Sequence, residues 1–514
     1  MSTAHRGIVI LDYGSQFTQL IARRIRSNEV YSQILPFSAS EEDVLASRPK
    51  GIILSGGPSS VFGKSAPGLP DWFESIDIPV LGICYGLHLL GRYLGAKVEP
   101  SNVAEYGHTN VTPCGQSTLL AGTPEKFRVW MSHGDKVLEP SPGMEVLATS
   151  DDCPIAAFAH EAKGMFAVQF HPEVHHTEHG ENILQNFVFN ICGCERDWSA
   201  GNIVEEKVAE LRKQIGNRRV ICAVSGGVDS AVTAAIVDRA VGDQLMCVFV
   251  DNGVLREGEA DSVRKVLNDQ LTAPLVFVDA RDRFLERLKG VTDPEEKRKR
   301  IGKLFIEIFE EVSALKGPFE FLAQGTLYPD RIESVSTFGP SVTIKTHHNV
   351  GGLPETFDFE LVEPLSMLFK DEVREIGSAL GLPDVQLGRH PFPGPGLAVR
   401  VVGEVVEERL AILRQADKIF IDGLKSWGLY DEVWQAGAIL LPVRSVGVMG
   451  DARTYDFTIV LRAVTSTDGM TADWAKLDNA FLQETSNRII NSVSGVNRVV
   501  YDISSKPPST IEWE

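Results

Sequence analysis

The sequence has 514 residues, of which 43% are hydrophobic and 23% charged, and its length predicts about three globular domains. The formal net charge of −19 argues against a nucleic-acid or anionic-membrane partner, because both partners bind basic surfaces. Seven scattered cysteines, a start without an apolar signal core and the lack of an apolar run of about 18 residues predict a cytoplasmic protein without membrane helices.

Short apolar runs alternate with amphipathic stretches in the first third of the chain. This alternation is typical of strands in a mostly parallel sheet that is covered by helices. The runs are residues 8–11, 51–54, 80–83 and 165–170. They predict a first open parallel-sheet α/β domain over residues 7–197.

A second series of the same kind follows a polar connection. Residues 202–215 form an apolar-periodic helix candidate. Three strand candidates, each followed by a turn and a helical pattern, cover residues 219–224, 246–251 and 275–279. The series predicts a second open parallel-sheet α/β domain over residues 198–389.

The last quarter of the chain starts with a loop, because the prolines and glycines of residues 390–397 exclude regular structure. Beyond it, apolar alternation and helical periodicity return. The helix and strand candidates are residues 404–421, 455–464, 474–491 and 498–503. Residues 390–514 are therefore predicted to form a small α+β domain.

Cys84 lies in a Gly-Ile-Cys-Tyr-Gly segment between a buried strand candidate, residues 78–83, and a helix candidate, residues 87–94. Glycines at positions −2 and +2 are typical of a nucleophile elbow, where only small neighbours permit the strained backbone. The N-terminus of a helix also stabilises a thiolate. These features predict a nucleophilic cysteine, and a buried structural cysteine in a Gly-rich turn is the alternative.

A thiolate nucleophile needs a proton shuttle and a group that orients the shuttle. His171 and Glu173 follow a strand candidate and supply both, because a carboxylate fixes the tautomer of an imidazole. The turn at residues 55–59 contains Gly57, whose backbone N–H is a candidate oxyanion donor together with that of Tyr85. An ordinary loop and an ordinary Gly-Pro turn are the alternatives for these two segments.

The three segments together resemble the class I glutamine amidotransferase family over roughly residues 7–195. The resemblance implies that Cys84 attacks the carboxamide of glutamine. It also implies that His171, supported by Glu173, protonates the departing ammonia. Water would then hydrolyse the thioester to glutamate.

A Ser-Gly-Gly-Val-Asp-Ser loop follows the strand candidate at residues 220–224 and is predicted to open a helix near residue 231. Its amides and hydroxyls are suited to bind a phosphate chain at the N-terminus of that helix. It lacks the Gly-Lys-Ser/Thr ending of a P-loop. The candidate ATP-binding residues are Ser225, Gly226, Gly227, Val228, Asp229, Ser230 and Ala231.

This loop resembles the pyrophosphate loop of ATP pyrophosphatases, whose domain has an adenine nucleotide alpha hydrolase-like fold. The resemblance implies cleavage between the α and β phosphates of ATP and adenylylation of a substrate oxygen, with residues 250–253 and 324–330 flanking the adenosine. Asp229 is a candidate Mg²⁺ ligand, because Mg²⁺ prefers a carboxylate together with phosphate oxygens. Lys370 and Asp371 are expected either to contact the leaving pyrophosphate or to form a solvated helix start.

Four segments bear on the identity of the acceptor: residues 344–353, 390–397, 450–455 and 506–514. In this order they resemble the family of glutamine-hydrolysing GMP synthetases over essentially the whole chain. The resemblance implies that ATP adenylylates the C2 oxygen of xanthosine monophosphate (XMP) and that ammonia then displaces AMP to give GMP. It also implies a homodimer joined through the C-terminal domain, and the XMP-binding residues Arg453, Lys506 and Glu512.

Free ammonia is mostly protonated at neutral pH, so we expect the domains to pass it directly by docking or reorientation.

Two other interpretations use the same motifs. With the carboxylate of a nicotinamide precursor as acceptor, the protein would be a glutamine-dependent NAD synthetase, but the terminal residues 506–514 have no expected counterpart there. Binding without turnover would make it a glutamine and nucleotide sensor, which gains nothing from a nucleophile with its base and orienting group.

Overall fold

The computed structural model describes residues 6–335, 359–449, 452–466 and 471–514. Among the described residues, contacts place 6–206 and 332–335 in a first unit and 207–331 and those from 359 onward in a second, so the main division lies within one helix. The predicted domain boundaries after residues 197 and 389 stay predictions. In the described part of the chain, no helix combines the length and the apolar character needed to cross a membrane.

The first unit is built on a nine-stranded sheet. Its elements are β1 (Ile8–Asp12), α1 (Thr18–Arg26), β2 (Ser32–Pro36), α2 (Glu41–Leu45), β3 (Gly51–Leu54), β4 (Val80–Ile83), α3 (Tyr85–Leu94), β5 (Lys97–Pro113), β6 (Phe127–Glu139), β7 (Glu145–Ser150), β8 (Ala157–His160), β9 (Met165–Val168) and α4 (Gly180–Gln185). Helix α5 (Ala200–Ile215) follows.

The strand order in this sheet is β2-β1-β3-β4-β9-β8-β7-β5-β6. The first five strands pair in parallel, and the last four extend the sheet through antiparallel pairs. Every residue of β3, β4 and β9 is buried, as expected for strands covered on both faces. The parallel α/β sheet predicted from the apolar runs is confirmed, and the antiparallel extension adds to it.

The second unit contains two further sheets. Its elements are β10 (Val220–Ala223), α6 (Val228–Val241), β11 (Leu245–Asp251), α7 (Glu259–Gln270), β12 (Leu275–Asp279), α8 (Arg281–Leu288), α9 (Pro294–Lys316), β13 (Phe321–Ala323), α10 (Tyr328–Val335), β14 (Glu360–Val362), α11 (Lys370–Ala379), α12 (Asp384–Leu387), α13 (Glu407–Ser426), β15 (Gln435–Met449), β16 (Ala452–Thr465), β17 (Asp473–Trp474), α14 (Asn479–Ser492) and β18 (Val496–Tyr501).

The five-stranded sheet of this unit is entirely parallel, with the order β12-β11-β10-β13-β14. Strand β10 is central, so the segments that follow β11 and β13 lie on either side of the segment that follows β10. In the other sheet, β15 and β17 pair antiparallel with β16, whereas β18 pairs parallel to it. Helices α13 and α14 pack together through Phe420 and Phe481, whose ring centroids are 6.2 Å apart.

Candidate functional site

Cys84 is the single residue between strand β4 and helix α3. Its backbone has φ 52° and ψ −100°, outside the conformations that residues other than glycine ordinarily adopt. Such a conformation costs on the order of 1–3 kcal/mol and persists only where the surrounding structure enforces it. The strained turn expected at this cysteine is therefore present.

The glycines on either side of Cys84 are required by space. A β-carbon on Gly82 would lie 2.6 Å from the carbonyl group of Gly86. A β-carbon on Gly86 would lie 2.4 Å from the carbonyl oxygen of Leu54. Neither position accepts a side chain unless the backbone moves, so the turn depends on both glycines.

His171 and Glu173 follow strand β9 and are almost completely buried. Nδ1 of His171 lies 2.7 Å from Oε1 of Glu173. The ring of Phe17 contacts the imidazole edge-on at a centroid distance of 5.2 Å, and the Thr177 hydroxyl donates to the His171 carbonyl at 2.6 Å. The imidazole and the carboxylate are thus held in one orientation.

The Cys84 thiol donates to the carbonyl oxygen of Ser132 at 3.3 Å. Burial disfavours the charged imidazole of His171, but the negative charge of Glu173, the hydrogen bond with Glu173 and the proximity of Cys84 outweigh that effect. The pKa of His171 is therefore raised well above its ordinary range. An imidazolium stabilises a neighbouring thiolate, so these three side chains have the arrangement of nucleophile, proton shuttle and orienting group.

The turn after strand β3 approaches the same imidazole, since a β-carbon on Gly56 would lie 3.0 Å from Cε1 of His171. Ser55 is completely buried there. Its hydroxyl accepts the backbone N–H of Tyr13 and donates to the carbonyl of Gly56, each at 2.9 Å. A carbonyl and the N–H that follows it point in opposite directions across a trans peptide, so Ser55 fixes the direction of the Gly57 N–H.

Tyr85 is the first residue of helix α3, so its backbone N–H is one of those without a partner inside the helix. Its phenol donates to the carbonyl of Pro67 at 2.6 Å. Strands β3 and β4 are parallel neighbours, which brings the turns that carry Gly57 and Tyr85 to one edge of the sheet. Sequence analysis missed Ser55, although a serine directly before a Gly-Gly pair at the end of a buried strand is the signal for it.

A second group of buried polar side chains lies in the same unit and was also missed. Nε2 of His133 lies 2.9 Å from Oε2 of Glu105, and Cys153 completes a cluster whose ligand-type atoms lie within 4.8 Å of one another. Burial lowers the pKa of His133 to about 4 and raises that of Cys153 to about 12. The imidazole and the thiol are therefore neutral at pH 7.

The Ser-Gly-Gly-Val-Asp-Ser loop joins strand β10 to helix α6 in the second unit. The hydroxyl of Ser230 accepts the backbone N–H of Ser225 at 3.1 Å and donates to the carbonyl of Gly227 at 3.1 Å. The helix begins at Val228 rather than near Ala231, because Gly227 is extended and caps it. The prediction of its start was wrong by three residues, and Asp229 lies in the first turn.

The carboxylate of Asp229 is bonded to Lys370, the first residue of helix α11. Nζ of Lys370 lies 2.5 Å from each of the two carboxylate oxygens. Lys370 therefore contacts the Ser-Gly-Gly-Val-Asp-Ser loop while its side chain remains 39% exposed, and both predicted roles stay predictions. Sequence analysis named both residues but did not predict that they meet.

The segments expected to flank ATP follow strands β11 and β13, the two neighbours of β10 in the parallel sheet. Ligands of open α/β sheets bind beyond the carboxyl ends of the strands. At the end of β11, the carboxylate of Asp251 accepts the N–H of Gly253 at 3.0 Å. After β13, the hydroxyl of Thr326 donates to Glu363 at 2.5 Å.

The residues predicted to bind XMP have different neighbours. Arg453 is exposed in strand β16, where it pairs with Val448. The Glu512 carboxylate accepts hydrogen bonds from the fully buried Arg400 at 2.8 and 3.0 Å. Lys506 forms an antiparallel bridge with Ala472. The acceptor segment 344–353 and residues 450 and 451 lie outside the described residues.

Comparison with known proteins places these two sites in a family. The model of glutamine amidotransferase class-I matches residues 9–191, and that of the GMP synthase C terminal domain matches residues 422–513. A glutamine-hydrolysing GMP synthase of Thermomicrobium roseum is 55% identical over 516 residues, which cover 100% of this chain and 97% of the relative. One of Caldanaerobacter subterraneus is 54% identical over 514 residues, with 100% of both chains covered.

We expect Gly86→Ala to lower the free energy of unfolding by about 1–3 kcal/mol, because the added methyl group overlaps the Leu54 carbonyl. The urea concentration at the unfolding midpoint measures the change. Gly201→Ala is the matched control, since open space surrounds that β-carbon and alanine favours helix. Equal midpoints for Gly86→Ala and the wild type would contradict the steric explanation.

We expect Glu173→Gln to lower the pKa of His171, because the charge that opposes the effect of burial is removed. The imidazole then loses its proton at a lower pH than in the wild type. NMR titration of histidine labelled with ¹³C at Cε1, assigned through a His171→Asn protein, measures the shift. Glu178→Gln, which removes a partly exposed carboxylate from the same segment, should leave the titration unchanged.

Proposed function

This chain belongs to the family of glutamine-hydrolysing GMP synthases, and from that membership we propose how its two units divide the reaction. The protein is a glutamine-dependent ligase that forms GMP from XMP. Full-length relatives favour this activity over the NAD synthetase alternative. The observation that carries the proposal is the buried, hydrogen-bonded pair of His171 and Glu173 near Cys84, which occupies a strained turn.

In the first unit, the Cys84 thiolate attacks the carboxamide carbon of glutamine, and the carbonyl π electrons move to oxygen. The Gly57 and Tyr85 N–H groups stabilise the resulting oxyanion, since both lie on turns at the same sheet edge. When the C–N bond breaks, His171 donates its proton to the leaving nitrogen, and ammonia departs. Water then attacks the Cys84 thioester, gives its proton to His171 and releases glutamate.

In the second unit, the C2 oxygen of XMP attacks the α-phosphorus of ATP, and pyrophosphate leaves. The phosphates are held at the N-terminus of helix α6 by the loop residues Ser225, Gly226, Gly227, Val228, Asp229, Ser230 and Ala231. Ammonia then attacks C2, and AMP departs with the former C2 oxygen. Adenylylation therefore converts a poor leaving group into a good one.

Asp229 is the proposed Mg²⁺ ligand. Its carboxylate already pairs with one cation, the Lys370 ammonium, which fits a site for positive charge beside the phosphates. A bound Mg²⁺ would neutralise charge on the phosphate oxygens. Lys370 is then placed to contact the leaving pyrophosphate, the first of its two predicted roles.

Glu512 and Lys506 are proposed to contact XMP together with Arg453. Arg400 holds the Glu512 carboxylate with two hydrogen bonds, so this end of the tail is anchored to a buried cation. A carboxylate held in this way presents its remaining lone pairs in a fixed direction. Lys506, bridged to Ala472, belongs to the same tail.

The two half-reactions are proposed to be coupled by direct transfer of ammonia. A positioned ammonia reaches a high effective concentration at the adenylylated carbon and is not lost by protonation in water. Coupling also implies that glutamine hydrolysis depends on the bound nucleotides. We place the enzyme in the cytoplasm, where its seven free cysteines stay reduced.

The assay that tests the function follows GMP formation from XMP, ATP and Mg²⁺ with either glutamine or ammonium as nitrogen donor. Wild type is expected to use both donors. Cys84→Ala should lose at least about a thousandfold in the glutamine-dependent rate, because its nucleophile is gone, and keep the ammonium-dependent rate. Cys114→Ala, a partly exposed thiol of the same unit, is the control and should keep both rates. Failure of the wild type to make GMP even with ammonium would contradict the acceptor assignment.

The protein is proposed to form a homodimer through the sheet that contains β15 and β16. Val446 and Tyr455 are cross-strand partners, and with Val448 they are 52%, 57% and 73% exposed. Apolar side chains grouped on one sheet face are typical of an interface. A second copy would remove this surface from water.

We expect Val448→Asp to weaken the dimer, because a charge buried in an apolar interface loses its hydration. Sedimentation velocity measures the monomer fraction over a concentration series. Leu315→Asp, which replaces an equally exposed residue on helix α9, should sediment as the wild type does. A Val448→Asp protein that remains fully dimeric would place the interface elsewhere.

A further inference from the structure

Two side chains from outside the pyrophosphate loop bind the same backbone carbonyl within it. Nε2 of Gln386 and Nη1 of Arg389 each donate to the carbonyl oxygen of Gly226, both at 2.8 Å. Gln386 lies in the short helix α12, and Arg389 is the second residue after the end of that helix. Both precede the Pro/Gly loop at residues 390–397, which sequence analysis associated with the acceptor.

The bonded carbonyl determines where the next amide points. Across the planar trans peptide, the Gly227 N–H is directed away from the Gly226 carbonyl. That N–H donates to the Ser225 hydroxyl at 3.4 Å, within the loop that is proposed to hold phosphate. Two consecutive glycines have little intrinsic preference for this orientation, so outside contacts must select it.

Steric contact with helix α7 also restricts the backbone conformation of the pyrophosphate loop. Gly226 has φ 80°, and a β-carbon there would lie 2.3 Å from Cγ2 of Val263 on helix α7. The backbone is therefore packed against α7 on one side and bonded by Gln386 and Arg389 through its carbonyl. The Gly227 N–H is directed to the remaining side.

Arg389 is itself held in place. Its other terminal nitrogen forms an ion pair with Glu259, a buried residue at the start of helix α7. Glu259 also accepts the backbone N–H of Arg256 at 3.0 Å. The guanidinium thus bridges the pyrophosphate loop and the segment after strand β11 with two different nitrogens held in a rigid fork, a geometry that the single nitrogen of a lysine does not reproduce.

The Pro/Gly loop is anchored beside the same segment. The backbone N–H of Leu397 donates to the carbonyl of Val254 at 2.7 Å, and Gly396 approaches that carbonyl too closely for any side chain. At the start of the loop, the ring of His390 stacks on Tyr430 with centroids 3.8 Å apart. Residues 386–397 therefore run between the pyrophosphate loop and the segment after β11, fixed at both ends.

We propose that Arg389 and Gln386 are positioning residues that orient the Gly226–Gly227 peptide for pyrophosphate binding. The proposal rests on the proposed function of the second unit. It adds that the phosphate-binding amides are oriented by a segment that continues into the acceptor loop. Binding of ATP and of pyrophosphate therefore depends on these two side chains, whereas glutamine hydrolysis chemistry at Cys84 does not use them.

The experiment measures ammonium-dependent GMP synthesis by Arg389→Lys, which keeps the charge but loses the rigid two-nitrogen fork that bridges Gly226 and Glu259. We expect the KM for ATP and the inhibition constant of pyrophosphate each to rise about tenfold. The reason is that misoriented backbone N–H groups of the loop no longer donate to the phosphate oxygens of either ligand. The KM for XMP should change less than about twofold. Gln386→Met, which removes one donor at similar volume, should shift both constants in the same direction by about threefold.

Arg212→Lys is the matched control. Arg212 also donates to backbone carbonyls, those of Ala240 and Arg239, but at the opposite end of helix α6. It should keep wild-type constants. Unchanged ATP and pyrophosphate constants in both Arg389→Lys and Gln386→Met, or an equal rise in the KM for XMP, would overturn the proposal. Failure of the wild type to make GMP from ammonium would instead overturn the proposed function, so the two failures are distinguishable.

Discussion

The carboxyl ends of parallel strands are the constraint on which both sites depend. Parallel neighbours end on one edge of a sheet, so residues far apart in sequence meet there without any direct connection. In the first unit, β3, β4 and β9 bring Gly57, Cys84 and His171 to that edge. In the second, β10 carries the phosphate loop between the segments that follow β11 and β13. Each site is therefore assembled by the hydrogen-bond register of its sheet.

The two sites solve different problems of backbone geometry at that edge. The first must present a side chain, so a cysteine occupies a positive-φ conformation and glycines stand on either side of it. The second presents backbone amides, so glycine itself takes the positive φ, at Gly226. In both, a neighbouring carbonyl is hydrogen-bonded and the amide beyond it is thereby directed. In the turn after β3 and in the loop after β10, a hydrogen bond to a carbonyl oxygen therefore fixes the orientation of the peptide group.

Strands that are buried on both faces could be predicted from sequence, because they appear as uninterrupted apolar runs. Strands β3 and β12 begin and end at the predicted residues, and β4 ends at the predicted Ile83. Strands β5 and β6 were missed, since the first nine residues of β6 alternate buried positions with half-buried or exposed ones and do not form a long apolar run. The start of α6 was predicted late because Val228 and Asp229 were counted with the loop. Chemical side chains in short Gly-rich motifs were identifiable as candidates, and Cys84, His171 and Glu173 do meet.

Contacts to backbone carbonyls could not be predicted in this way. No sequence motif marks Arg389 and Gln386, because they bind a backbone carbonyl, which every residue has. The pairing of Lys370 with Asp229 depends on how α11 packs beside α6, which no local pattern encodes. Ser55 donates to the carbonyl of its neighbour Gly56. Its position before two glycines is evident in the sequence, but that position alone does not predict the hydrogen bond.

The sequence distance between a peptide and the group that holds it has a consequence for synthesis of the chain. Ser55 and the carbonyl it binds are adjacent, so the two emerge from the ribosome together. Arg389 lies 163 residues beyond Gly226. At translation rates of 5–20 residues per second, that separation corresponds to roughly 8–33 s during which the nascent phosphate loop lacks the contacts that orient it. The proposed nucleotide site is thus completed only when most of the chain has been made, long after the turn that carries Ser55.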